Sequence, residues 1–272
     1  MEPLARALRA AAHAGRGAVV PYLMVDRARR GRLEPTVAAL ADAGATALEL
    51  GFPFSDPIAD GPTLEAAADR ALTHGTTWAD LLGQIASASS RLPTAVMTYA
   101  NPVWARGLPR AVRELHRAGA TGLIVPDLSL EEAAPWRKAA RAAGLSLVLL
   151  GAPSASPGRI AQIARRSEGF LYLVSRFGTT GRRDPAPSSQ LQPLVDASHR
   201  AVPELPVLIG FGVHDPASAR AAVASGADGV VIGSALEEVV GTGAAPRKIG
   251  SWLVPIVRAV QSGRVEGRTG NR

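Results

Sequence analysis

Short runs of β-branched and aliphatic residues alternate along the whole chain with longer Ala-, Arg- and Glu-rich stretches whose apolar positions recur at helical spacing. This is the pattern of parallel βα units. The apolar runs fall at 18–25, 47–51, 95–99, 122–127, 145–151, 169–175, 206–212 and 229–234. Eight strands with helices between them predict an α/β fold, a single (β/α)8 barrel with an extra N-terminal helix. A degenerate junction supports a barrel over an open sheet. It reads ADAGATALEL (41–50), HRAGATGLIV (116–125), RAAGLSLVL (141–149) and VASGADGVVI (223–232). Each junction places Gly where a helix ends in a left-handed residue, with a buried strand following at once.

Length agrees with one barrel domain over 1–272, since no Gly/Ser or Pro linker divides the chain. Only the terminal extensions, about 1–15 and 262–272, read as dispensable. No apolar run reaches the roughly 18 residues of a membrane span, and the amphipathic start lacks the pattern of a signal peptide. The expectation is a cytoplasmic protein. The absence of Cys excludes disulfides, thiolate nucleophiles and zinc–thiolate sites. A net charge of +7 raises the question of nucleic acid, but Arg is spread over nearly every helix and stacking aromatics are few. No nucleic-acid partner and no membrane are expected.

Barrel chemistry collects where strands end and βα loops begin. Glu49, between apolar Leu48 and Leu50, is expected to point into the barrel mouth, where an unpaired carboxylate is costly. Asp60 ends a loop, GFPFSDPIADGP (51–62), stiffened by Pro53, Pro57 and Pro62, a build suited to holding a second carboxylate over a pocket. Asp56 in the same loop reads as a turn or a partner contact. Gly210-Phe211-Gly212 and Gly233-Ser234 end the seventh and eighth strands, where barrels commonly grip phosphate with backbone N–H groups and a helix N-terminus. The stretch 175–190 has the composition of a mobile lid.

What is missing narrows the reaction. Of thirty basic residues only Lys138 and Lys248 are lysine, and both fall on helices, so no strand-end amine is placed for Schiff-base chemistry. His13, His74, His116 and His199 also fall on helices or their ends. His214 alone lies near a mouth, and one His makes no metal site. What remains is carboxylate-driven carbon–carbon or proton-transfer chemistry on a phosphorylated substrate.

The segment ELGFPFSDPIADGP (49–62) closely resembles the signature of the tryptophan synthase alpha subunit family. YANP (99–102), VPDL (125–128), YLVSRFGTTG (172–181), IGFGV (209–213) and VIGSAL (231–236) extend the resemblance in order. It implies a lyase of tryptophan biosynthesis that cleaves indole-3-glycerol phosphate to indole and glyceraldehyde 3-phosphate. Glu49 is then the general acid/base, Asp60 the partner of the indole N–H, and Tyr172 a positioning group. Tyr22 and Leu123 flank the indole, and Thr180 and Gly181 close over the substrate. Gly181, Gly210, Gly212, Gly233 and Ser234 hold the phosphate. The resemblance implies no metal and no cofactor in this chain, with pyridoxal phosphate confined to a beta subunit partner in an alpha2-beta2 assembly. Two departures border that partner's side: MVDRA (24–28) stands where the family has T-x-G-D-P, and SLEE (129–132) where it has P-P-E-E. They leave open a stand-alone lyase supplying free indole to a specialised pathway; a separate alternative of another class is a non-catalytic regulatory partner of a beta-like protein.

Overall fold

The computed structural model describes residues 2–175 and 187–269, with side chains described as far as Gly263. Eight parallel strands close in sequence order into one barrel. They are β1 (Ala18–Met24), β2 (Leu48–Gly51), β3 (Thr94–Met97), β4 (Ala120–Ile124), β5 (Ser146–Gly151), β6 (Leu171–Val174), β7 (Val207–Gly210) and β8 (Gly229–Ile232). The helices are α1 (Pro3–His13), α2 (Arg30–Asp42), α3 (Pro62–Thr73), α4 (Trp78–Ala88), α5 (Ala100–Arg106), α6 (Leu108–Ala118), α7 (Ala133–Ala143), α8 (Pro157–Ala164), α9 (Ser188–Ala201), α10 (Pro216–Ala224), α11 (Ser234–Gly241) and α12 (Pro246–Thr269). A 3-10 turn, Arg27–Arg29, precedes α2. All eight predicted strands are present. Most are shorter than their apolar runs because the last residues of those runs turn outward into a βα loop, whereas β2 and β5 begin one residue later than their runs.

Local sequence explains the element boundaries. Gly44, Gly119, Gly144 and Gly226, the four junction glycines, all carry positive φ between 86° and 107°, the left-handed stop that lets chain direction reverse into the next strand. At the other ends, Thr77 with Asp80 and Asp215 with Ser218 form capping boxes on α4 and α10, satisfying amides that would otherwise lack partners.

The alternation of side chains along the strands creates two cores. One lies between barrel and helices and contains Val19, Leu48, Leu50, Val96, Leu123 and Leu147. The other fills the barrel itself with Val20, Ala47, Ala95, Ile124, Val148, Phe170, Leu208 and Val231. Leu4 and Leu8 of α1 are fully buried in this inner core. Leu4 sits against Gly122 and Gly169, where an added Cβ would come within 2.7 and 3.4 Å of its Cδ2. Helix α1 therefore closes the floor of the barrel. Residues 3–13 are not expendable, because each of these leucines contributes about 1.5–3 kcal/mol by leaving water. Among the described residues no helix is long and apolar enough to cross a membrane.

Candidate active site

The register of β1 and β2 pairs Tyr22 with Glu49, and that of β2 and β3 pairs Glu49 with Ala95. Because Leu48 and Leu50 face the helices, Glu49 faces the barrel interior, as its position in the alternation predicts. It is 1% exposed. Neither of its carboxylate oxygens, nor Oδ1 of Asp60, has a hydrogen-bond partner among the described residues. Burial raises the Glu49 carboxyl from 4.5 to about 8, with the charge of Asp60 adding to the rise. Burial also raises Asp60, to about 7, helped by the charge of Glu65 and opposed by a hydrogen bond from Tyr99. Both carboxyls thus hold their protons well above the ordinary carboxylate range. Near neutrality the site holds a protonated Glu49 beside an ionising Asp60, two carboxyls given separate tasks by their surroundings.

The loop that carries Asp60 is held from below by Tyr99. The phenol stacks on Phe54 at 5.2 Å, its oxygen accepts the Ala59 amide at 3.0 Å, and its hydroxyl lies beside Asp60 and holds that carboxyl lower than burial alone would. Asp56 is exposed at the turn, bonded to Ser55 Oγ at 2.5 Å, consistent with a turn residue. Sequence reasoning read Tyr99 only as part of a motif. The signal was available: an aromatic at the end of the third strand, beside a loop that must be held still.

Two tyrosines wall the interior. Tyr22 and Tyr172 are buried, and burial raises both hydroxyls well above their ordinary range. For Tyr172 the charges of Glu49 and then Asp60 add to this, and for Tyr22 those of Asp60, Glu237 and Glu49. Both phenols therefore stay protonated, and the Tyr22 hydroxyl donates to Met24 Sδ at 3.7 Å. Tyr172 packs edge-on against Phe211 with centroids 5.6 Å apart. Each tyrosine depends on a glycine. A Cβ at Gly51 would fall 1.9 Å from the Tyr22 hydroxyl, and one at Gly210 would fall 2.5 Å from that of Tyr172. Gly51 carried no role in the sequence reading, and Gly210 was assigned to phosphate. The structure puts the missing side chain of Gly210 to use in making room for Tyr172.

Leu123 is the clear correction. It is fully buried in the outer core, facing the helices, and Ile124 takes the inward position next to the tyrosines. A one-residue error of phase along a strand moves a side chain to the opposite face. Thr180 and Gly181 lie outside the described residues, as does most of the expected lid.

At the same end of the barrel, β7 leads into Phe211 and Gly212, with φ of 64° and 128°. Phe211 is the only non-glycine with positive φ among the described residues, a strained conformation of the kind found at binding sites. Beyond β8, Gly233 leads into α11, whose N-terminus has no side-chain cap. The first amides of α11, beginning with Ser234, therefore lack intrahelical partners and point out with the positive end of the helix dipole. Gly212, Gly233 and Ser234 thus follow the neighbouring strands β7 and β8 at the same end of the barrel as the Asp60 loop, and α11 reaches α3 beyond that loop through Thr63 Oγ1, which donates to Glu238 at 3.1 Å.

The family sequence pattern described as "Tryptophan synthase alpha chain" matches residues 8–250. The chain belongs to the tryptophan synthase alpha chain family. It is 40% identical over 247 residues to the tryptophan synthase alpha chain of Picosynechococcus sp., covering 89% of this chain and 92% of that one. It is 45% identical over 226 residues to that of Chloroflexus aurantiacus, covering 82% and 84%. Among solved structures it resembles Mycobacterium tuberculosis tryptophan synthase with a TM-score of 0.84 at 32% identity, covering 96% of this chain and 98% of that one. A tryptophan synthase complex from Pyrococcus furiosus matches with a TM-score of 0.77 at 30% identity, covering 91% and 98%.

Proposed function

We propose that this chain cleaves indole-3-glycerol phosphate to indole and glyceraldehyde 3-phosphate, as a cytoplasmic alpha subunit of tryptophan synthase. The observation that carries the reading is the pair of buried carboxyls at the barrel mouth, Glu49 and Asp60, with oxygens that no described residue satisfies. Such groups cost stability, and a site that works by proton transfer is where that cost is met.

Glu49, protonated near neutrality, gives its proton to C3 of the indole. The ring becomes a cationic imine, and Asp60 accepts the ring N–H and balances the charge that develops there. Glu49, now a carboxylate, takes the proton from the side-chain hydroxyl next to the ring. As that oxygen becomes the aldehyde, the bond to C3 breaks and its electrons return to the ring, restoring neutral indole. Protons balance at Glu49, and the protonated ring is the electron sink, so the reading requires no cofactor in this chain. Tyr172 orients Glu49 or the side chain, and Tyr22 flanks the ring. Gly212, Gly233 and Ser234 grip the phosphate through backbone N–H groups.

The rim that carries Asp60 also carries two large exposed apolar residues, Ile58 at 71% and Trp104 of α5 at 52%. Ile58 follows directly on the loop 52–57, and the two exposed apolar side chains support docking of a pyridoxal-phosphate-bearing beta subunit in an alpha2-beta2 assembly. The test is indole release from indole-3-glycerol phosphate by the purified chain, with and without a tryptophan synthase beta subunit. Release that Glu49→Gln abolishes is the expected result. A folded Glu49→Gln variant keeping more than about a tenth of turnover would overturn the assignment of Glu49. Cleavage that is fast alone and indifferent to any beta subunit would remove the partner while leaving the chemistry in place.

A further inference from the structure

Arg29 and Glu237 meet across 208 residues of sequence. Glu237 lies in the first turn of α11 and is 1% exposed. Its two oxygens accept from Arg29 Nη1 at 3.1 and 2.8 Å, and Oε1 also accepts the Met24 amide at the end of β1, at 2.8 Å. Arg29 closes the 3-10 turn that replaces the family's T-x-G-D-P segment. On that turn Asp26 accepts the Ala28 amide at 2.8 Å, lies 2.9 Å from His74 Nδ1, and approaches Arg29 Nε only to 3.8 Å. The buried carboxylate of Glu237 is therefore the principal partner of Arg29.

The position of Glu237 conflicts with the work assigned to its helix. Its amide donates to Gly233 O at 2.9 Å, so the carboxylate rises from the same turn whose free N–H groups face the phosphate. Its charge reaches the pocket, where it acts on the Tyr22 hydroxyl together with Asp60 and Glu49. A carboxylate there competes with a dianionic phosphate for the positive end of the helix. Left unpaired, it would also be a buried charge, which is costly in itself.

We propose that Arg29 is a positioning residue for the substrate's phosphate. It neutralises Glu237 and ties the first turn of α11 to the β1–α2 loop, so that the rim formed by Gly212, Gly233 and Ser234 presents net positive potential. This rests on the phosphate site of the proposed function and adds a determinant to it. Arg29 acts through Glu237, whose two oxygens both accept from the guanidinium Nη1.

The test separates charge from simple cross-linking. Binding of glycerol 3-phosphate is measured by calorimetry, and KM and kcat for indole release are measured, on the wild type, Arg29→Met, Glu237→Gln and the double variant, with folding checked by circular dichroism. Arg29→Met is expected to raise Kd and KM by about tenfold, the scale of a unit charge acting over roughly 8 Å at a partly screened rim, with kcat within about threefold. Glu237→Gln is expected to bind at least as tightly as the wild type. The double variant is expected to return to within about threefold of wild-type affinity, because the uncompensated charge is gone. Unchanged affinity in Arg29→Met, weaker affinity in Glu237→Gln, or a folded double variant as impaired as Arg29→Met would each overturn the inference. If Arg29→Met fails to fold, the other two variants decide. A wild type that does not bind glycerol 3-phosphate would defeat the phosphate site itself, whereas a wild type that binds, with insensitive variants, defeats only the role of Arg29.

Discussion

Replacing Glu49 by Gln is expected to inactivate the enzyme and stabilise the fold, with a gain that grows as pH rises. In the native protein burial, then the charge of Asp60, holds the Glu49 carboxyl at about 8 against an ordinary 4.5. Between those values the unfolded chain has released a proton that the native state still holds, so stability falls with increasing pH. The loss starts near 4.5 and is complete above about 8. It runs at about 1.4 kcal/mol per pH unit, which makes about 3 kcal/mol at neutrality and about 5 kcal/mol over the whole window. Glutamine has nearly the same shape and does not titrate. Burying its amide adds an offset that is independent of pH, so the slope is the diagnostic quantity. Urea unfolding of both proteins at several values between about pH 5 and pH 8.5 gives that slope, provided the denaturant dependence is unchanged. A stability difference flat across this range would refute the claim that the native state keeps Glu49 protonated, and with it the assignment of the initial proton donor.

Three further outcomes follow from the geometry. The pH profile of kcat/KM should rise through about 7 as Asp60 ionises and fall through about 8 as Glu49 does; Tyr99→Phe, by removing the bond that lowers Asp60, should move the acid limb to higher pH, and an unmoved limb would rule out that bond. Gly51→Ala places a Cβ 1.9 Å from the Tyr22 hydroxyl, so Tyr22 must swing away and kcat/KM should drop by about tenfold or more; normal turnover would show that Tyr22 does not shape the site. Leu8→Ala, at the barrel floor, should cost about 2–5 kcal/mol in urea unfolding while kcat is retained, and a loss under about 1 kcal/mol would show that α1 does not seal the core.

The barrel was legible in the sequence because its signals are local and repeated. Four glycines with left-handed φ at helix ends, each followed by an apolar run, leave few other topologies. Glu49 and Asp60 were legible because a charged residue inside a β alternation and a proline-stiffened loop are both expensive features. Leu123 was misplaced because Gly122, Leu123 and Ile124 form part of a continuous run in which nothing polar marks the phase. Gly51 escaped because its role is an absence of atoms beside Tyr22, which sequence spacing does not register. The Arg29–Glu237 contact escaped for a different reason: its partners come from opposite ends of the chain and meet only because β1 and β8 are neighbours when the barrel closes. The N-terminal helix read as dispensable because its buried stripe, Leu4, Ala5, Leu8 and Ala11, is narrow and half alanine, which understates what two leucines do at the end of a barrel.

That helix gives the barrel a packed floor and leaves its chemistry at the other end. Leu4 is seated against Gly122 and Gly169, and Phe170, Val148 and Leu208 fill the interior above it, so among the described residues the floor is packed with apolar side chains. The rim that bears Asp60, Ile58 and Trp104 is then the side from which a substrate meets Glu49. Indole is small and apolar enough to slip through loosely packed protein, so a packed floor turns its release into a question of traffic at one gate. Whatever covers that gate decides whether the product is handed on or lost to solvent.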